Sequence, residues 1–380
     1  MARKSWLSTT VGIGLTASFP PSSSPATPTA AMTTPSAPLR IALLGSGIFA
    51  REQHLPAILS TPSLQLIALY SRTLASASSL ASTLPFSVSI YTSETTSADL
   101  SALLSRGDID AVILGLPIPL QPSIIRACLL ANKPVLSEKP VAASLSSARE
   151  LITFARTQQP LWGVAENFRF QASWAYARSR IAELGRVLGF TVRIASMIDP
   201  DSNRYYGTEW RKAPKYQGGF ILDGGVHFVA SLRMLLSGAG EEVEKVSAFS
   251  ACNMEYLKPV DTISAVVRTK KGTTGTLQIS FGSTEKLFEF TVACEGGVVV
   301  VGGGGRVSVK DREGNEEVKE FLDDRGIKEE FAAFAEGVRK GELHPDQTPE
   351  EALKDLELIE KLLLSGEKDG ETMTITGGLE

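Results

Sequence analysis

The sequence predicts an α/β chain in which a doubly wound parallel sheet precedes a second domain built on a largely antiparallel sheet. Three observations predict it. Short apolar runs alternate with helical stretches from Leu39 onward, the pattern of repeated strand–helix units. A glycine-rich turn, Gly45-Ser46-Gly47-Ile48-Phe49-Ala50, follows the first of those runs. Beyond residue 245 the helical stretches give way to successive β segments punctuated by glycine turns.

At 380 residues the chain exceeds one ordinary core, and it divides into a leader (1–38), a dinucleotide-binding domain (39–165) and a substrate and oligomerisation domain (166–380). A net charge of −4 offers no electrostatic case for nucleic acid or an anionic membrane. No apolar run is long enough to span a bilayer. Three cysteines without a C-x-x-C pair, and only three histidines, argue against a disulfide framework or a metal centre.

The leader is rich in Ser, Thr, Pro and Ala and has no acidic residue, the first being Glu52. Its composition suits a disordered leader preceding an internal start at Met32, a mitochondrial transit peptide, or a weak secretory signal.

In the first domain Leu39–Leu44 reads as a strand. Gly45 permits a sharp turn, Gly47 lets backbone approach a pyrophosphate, and Ala50 lets the following helix pack closely. Ile48 and Phe49 belong to the same loop, whose N–H groups suit phosphate. Pro56 is expected to kink or stop that helix. A second strand, Leu64–Tyr70, ends in Ser71-Arg72 where an NAD-specific domain carries an acid for the ribose hydroxyl. A hydroxyl and a guanidinium suit a 2′-phosphate, so NADP(H) is favoured over NAD(H).

Further strands are expected over Asp110–Leu114, Pro134–Ser137 and Leu161–Val164, with helices near Ala98–Leu104, Pro122–Ala131 and Glu150–Gln158. Leu116-Pro117 and Glu138-Lys139-Pro140 then fall at strand carboxyl ends, where ligands of such sheets bind. Lys139 is a candidate to polarise or protonate a substrate oxygen. A cis Lys139–Pro140 bond would aim it into the cleft.

In the second domain, Gly218-Gly219-Phe220-Ile221-Leu222-Asp223-Gly224-Gly225-Val226-His227 runs into a helical Phe228–Leu236 stretch. The four-residue spacing places Asp223 and His227 on one helix face. The bland alternative is a helix salt bridge or a core histidine. A metal pair would still lack a third ligand, so no metal is assigned. Segments Lys245–Cys252, Thr262–Thr269, Gly275–Phe281, Phe288–Cys294 and Val298–Val301 read as strands with helices on one face. The other face stays free for substrate or subunit contacts. Helices over Lys328–Lys340 and Thr348–Leu364 close the chain, the second opening on a capping box with Pro349 at its first turn.

The glycine turn, the E-K-P tripeptide and the G-G-x-x-x-D-x-G-x-H stretch together resemble the glucose–fructose oxidoreductase, inositol dehydrogenase and rhizopine-catabolism protein (Gfo/Idh/MocA) family, from Leu39 to the C-terminus. The resemblance implies a Rossmann domain, an α/β domain with a large, mostly antiparallel sheet, and Lys139, Asp223 and His227 as the catalytic set. It points most closely to fungal cytosolic NADPH-linked members, hence a cytoplasmic location and a homo-oligomer joined through the open sheet face.

Three departures stand out. Leu116-Pro117-Ile118-Pro119-Leu120-Gln121 lacks a histidine common in the family, Ala230 replaces an aspartate three residues after His227, and the acid of the second strand is missing.

The reaction expected is hydride transfer between nicotinamide and a sugar, polyol or small carbonyl or alcohol. His227 would move the hydroxyl proton, Asp223 would orient His227 or touch substrate, and Lys139 would stabilise the alkoxide. Asn167, Arg169, Tyr205, Tyr206, Trp210 and Arg211 are pocket candidates. Alternatives are a trans-diol dehydrogenase and a non-catalytic cofactor-binding regulator acting through a protein partner.

Overall fold

The computed structural model describes residues 37–378; the leader expectation therefore lies outside the described residues, apart from Ala37 and Pro38. The first sheet takes strands β1 (Leu39–Leu44), β2 (Leu64–Ser71), β3 (Ser89–Thr92), β4 (Ala111–Leu114), β5 (Val135–Glu138) and β6 (Trp162–Ala165). Their order is β3-β2-β1-β4-β5-β6, every pairing parallel. Strand order reverses between β1 and β4, and the crevice at that switch point is where such sheets bind ligands.

Helices cover both faces, which explains why β4 (Ala111-Val112-Ile113-Leu114) and β6 are buried at every position rather than at alternate ones. Ile41 and Leu43 of β1 point into one core with α1 (Leu55–Ser60); Ala42 and Leu44 point into the other, beside residues of the later helices α4 (Gln121–Leu130) and α5 (Leu145–Ala155). Between these lie α2 (Leu74–Ala81) and α3 (Leu100–Leu104).

The helix after the glycine turn does not stop at Pro56. It starts as a π-helical turn, Ala50–His54, with the Leu55 N–H donating to the Ala50 carbonyl, and continues as α1 with Pro56 in its first turn. The π-helical turn lies immediately before the proline, and the helical path resumes beyond it, so the missing N–H of Pro56 interrupts the ladder without ending the helix.

The chain leaves the first sheet through a 3-10 turn (Asn167–Phe170) and α6 (Ala172–Glu183) into β7 (Val187–Met197). After α7 (Glu209–Lys212), α8 (Gly219–Asp223) and α9 (Gly225–Ser237) come β8 (Val243–Ala251), β9 (Thr262–Thr269), β10 (Thr274–Ser280), β11 (Gly282–Cys294), β12 (Gly297–Gly302), β13 (Arg306–Asp311) and β14 (Glu316–Glu320). A two-residue strand, β15 (Met373–Thr374), completes a nine-stranded sheet ordered β14-β13-β12-β11-β7-β10-β9-β8-β15. Only the central β7–β10 pair is parallel.

One face of that sheet (Phe190, Val192, Ile263, Leu277, Phe290, Val299) is buried together with residues of α6, α9 and α11 (Pro349–Glu367). The opposite face carries Leu188, Arg193, Ser264, Val266 and Arg268, all exposed. Helix α10 (Ile327–Lys340) returns to the first domain, where Phe331 and Phe334 join the core of Ile41 and Leu43.

Two expectations change here. The run Gly219–Ser237 is long and apolar enough to cross a membrane by length and composition, but 78% of its most apolar window is buried, so its apolar surface packs the protein's own core. The capping box before α11 is half made. Thr348 Oγ1 accepts from the Glu351 N–H at 3.2 Å, while the Glu351 carboxylate turns to Arg233 and Lys354.

Gly45 makes the switch point. Its φ is +120°, its N–H donates to the Tyr70 carbonyl of β2 at 2.8 Å, and a Cβ there would sit 2.3 Å from the Gly115 carbonyl oxygen after β4. Backbone strain of this kind costs about 1–3 kcal/mol, before the clash is counted. Gly45→Ala should therefore lower stability by at least about that amount and weaken dinucleotide binding, as read by urea unfolding and cofactor fluorescence titration.

Candidate active site

Four chain segments converge at the carboxyl edge of the first sheet. The glycine turn supplies Gly47, Ile48, Phe49 and Ala50; the end of β4 supplies Gly115, Leu116, Pro117 and Ile118; the end of β5 supplies Glu138 and Lys139. The second domain adds Asp223, His227 and, from α7 and the loop that leads into it, Tyr205, Thr208, Trp210 and Arg211. Together they line one cavity of about 150 Å³. A larger cavity, about 320 Å³, surrounds Arg169, Arg233 and Glu351, but it reaches neither the glycine turn nor Lys139.

The residues present fit a dinucleotide. A Cβ on Gly47 would meet nothing within 4 Å, so the backbone there faces open space that a pyrophosphate can approach. Ser46 Oγ and Ser71 Oγ lie 2.7 Å apart, tying the turn to the end of β2. Ser71 is buried and Arg72 beside it is exposed. Neither lines the cavity itself.

Lys139 is anchored on the second domain. Its Nζ donates to the Asp223 main-chain carbonyl at 2.6 Å and to Asp223 Oδ1 at 3.3 Å, across a peptide bond to Pro140 that is cis. Arg211 Nε donates to the other oxygen, Asp223 Oδ2, at 2.7 Å. Burial pushes the Asp223 carboxyl up, but Lys139 and Arg211 outweigh it and hold the group down at about 2. Arg211 is itself packed over Trp210, 4.0 Å from the ring centre, and over Tyr205 at 5.3 Å.

Asp223 and His227 do occupy successive turns of a nearly continuous helix, broken only at Gly224, yet Asp223 makes no hydrogen bond to His227. The imidazole Nδ1 lies 2.6 Å from Glu166 Oε1 instead, and Phe168 stacks on the ring at 4.7 Å and 12°. On the other side of the lysine, Glu138 Oε1 is 2.7 Å from Nε2 of the buried His54.

Sequence reasoning missed Glu166 and His54. The signals were an acid directly after an apolar strand, and a histidine four residues past Ala50 on the same helix.

The pocket candidates divide. Trp210, Tyr205 and Arg211 line the cavity. Asn167 lines an adjoining cavity that shares Phe49 and His227 with it, and its Nδ2 donates to the Arg325 carbonyl. Arg169 lines the larger cavity and not this one, and it is buried and bonded to Asp355 at 2.7 Å. Nor does Tyr206 line this cavity; it packs on Phe220 and Tyr256. Both are aromatic or cationic residues whose local sequence cannot tell a core partner from a ligand. Among the described residues no three His, Cys, Asp or Glu side chains converge as metal ligands.

Residues 39–166 match the family model described as an oxidoreductase family with an NAD-binding Rossmann fold, and residues 174–300 match the Gfo/Idh/MocA C-terminal domain. The chain is 44% identical to Dehydrogenase FPY6 of Fusarium mangiferae over 339 residues, spanning 87% of this chain and 97% of that protein. The chain belongs to the Gfo/Idh/MocA oxidoreductase family. An oxidoreductase of Thermotoga maritima superposes with a TM-score of 0.80 at 28% identity, over 90% of this chain and all of that one. More distantly, a dTDP-3,4-didehydro-2,6-dideoxy-alpha-D-glucose 3-reductase of Saccharopolyspora spinosa is 30% identical over 53% of this chain and 57% of its own length. The chain is an NAD(P)-dependent oxidoreductase with the two-sheet fold of its family.

The Asp223 carboxyl generates a pH prediction. Its folded-state value lies below the ordinary 3.8, at about 2, so the stability it contributes is fully present above about pH 4 and is lost as pH falls toward 2. Wild type should exceed Asp223→Asn in unfolding free energy at pH 6, with the gap narrowing by roughly 1–2 kcal/mol by pH 2.5 in paired urea titrations.

Proposed function

We propose that this enzyme uses NADP(H) to interconvert a hydroxyl and a carbonyl on a sugar, polyol or related small substrate. The observation that carries this is the meeting of Lys139 and His227 in one cavity with the glycine turn. A bound nicotinamide supplies the hydride donor or acceptor. The chain's own residues handle charge and protons. Lys139, a cation held by the Asp223 carboxylate and carbonyl, stabilises negative charge developing on the substrate oxygen. His227 gives or takes the hydroxyl proton. Asp223 serves by fixing Lys139 and Arg211, not by orienting His227. Trp210, Tyr205 and Arg211 form an aromatic and cationic wall suited to a polar, hydroxylated substrate. The sugar named for the Saccharopolyspora reductase supports the same class.

The preference for NADP(H) rests on the end of β2, where Arg72 is exposed, Ser71 is tied to the turn and the strand carries no acid of its own; the Glu94 carboxylate after β3 is engaged by the Leu74 N–H at 2.8 Å. The uncovered face of the nine-stranded sheet supports association of two copies through it.

The test is consumption of NADPH, with NADH in parallel, against a panel of sugars, polyols, trans-diols and small carbonyls. Lys139→Ala should lower kcat by about 10²-fold or more, and Arg72→Ala should raise the KM for NADPH while leaving that for NADH little changed. Full turnover in Lys139→Ala would remove the assigned role.

A further inference from the structure

Glu166 stands directly after β6 at the seam between the two domains, and its side chain is buried. Its Oε1 meets His227 Nδ1 at 2.6 Å, while Oε2 is buried without a partner. The groups facing it come from every neighbouring element: His227 from α9, Lys139 from the end of β5, Arg169 from the 3-10 turn, Glu330 from α10 and Asp355 from α11. Burial pushes the Glu166 carboxyl up, but His227 first, then Arg169 and Lys139, hold it below the ordinary carboxylate range. Glu330, equally buried, is driven well above that range by burial and by Glu138 and Glu166. Of these two acids, the ionised form is favoured for Glu166, the one on the imidazole, and disfavoured for Glu330.

A buried carboxylate against one ring nitrogen determines which nitrogen carries the proton. Asp223 does not do this for His227: its oxygens meet Lys139 and Arg211, and the imidazole's hydrogen-bond partner is Glu166. Phe168, stacked flat on the ring, removes its remaining freedom to turn. We propose that Glu166 is the positioning residue of His227, holding a proton on Nδ1 so that Nε2 is the nitrogen offered to the substrate hydroxyl. The use made of Nε2 rests on the hydride-transfer reading; the way the ring is held does not.

Two measurements on the full chain separate these. With only three histidines present, long-range ¹⁵N–¹H correlation spectra of wild type and His344→Asn leave His227 and His54 to assign. Wild type should show His227 protonated at Nδ1, and Glu166→Ala should show mixed tautomers. In steady-state kinetics the isosteric Glu166→Gln should lower kcat by roughly 10²-fold or more with KM changed by less than about threefold. Its pH–rate profile should move to lower pH, since a neutral amide no longer favours the imidazolium; Glu166→Asp should recover part of the loss. A purely structural role would not move the pH profile. An Nε2-protonated His227 in wild type, or a Glu166→Gln enzyme with unchanged turnover and profile, overturns the proposal. Absence of turnover on every substrate would count against the hydride-transfer reading, and the spectra would still decide the role of Glu166.

Discussion

The ammonium of Lys139 lies on Asp223, and the site depends on that one contact. The lysine leaves the first sheet at its carboxyl edge; the aspartate ends a short helix of the second domain. A buried carboxylate is tolerated only when cations and hydrogen bonds satisfy it. Here Lys139 takes one oxygen and Arg211 the other, so three charged groups from three elements reach their positions together. Removing Asp223 leaves two cations facing each other, and removing either cation takes a partner from the buried carboxylate. This explains how a lysine on a strand end, ordinarily the most mobile of side chains, is held at a defined point in the cleft.

Around that pair the fold distributes the other roles by surface. The glycine turn at the switch point has to stay open, and the open backbone at Gly47 and the close approach of Gly45 to Gly115 keep it so. The imidazole is clamped from behind by Glu166 and Phe168 and left open toward the cavity. Helix α10 brings Glu330 from late in the chain to the back of the same seam, so the helix that covers the first domain also carries one of the buried carboxylates. Helix α7 and the loop leading into it close the remaining side with Tyr205, Trp210 and Arg211.

Much of this was legible in local sequence. Strands β1 and β9 fall where the apolar runs lie; the glycine turn and the E-K-P tripeptide meet because each sits at a strand end that the parallel topology brings to one edge, and the third motif arrives there from the second domain. What stayed hidden depends on distant partners. Strand β7 is the spine of the second sheet, yet Val187–Met197 reads as nothing particular until β10 and β11 pair with it from some 80 to 100 residues away. The four-residue spacing of Asp223 and His227 correctly suggests neighbouring turns, but spacing cannot reveal that Lys139 and Arg211 claim the acid and leave the imidazole to Glu166. Arg169 looked like a pocket group because its burial partner, Asp355, lies 186 residues on.

The most direct test of the account is a crystal structure of the full chain with NADP⁺ bound. The account predicts the nicotinamide ring in the cavity between Gly47 and Asp223, with C4 turned toward the space bounded by Lys139 and His227, the Lys139–Asp223 contact intact and the 2′-phosphate beside Ser71 and Arg72. A dinucleotide whose nicotinamide lies outside that cavity, with Lys139 and His227 facing no reacting carbon, would contradict it.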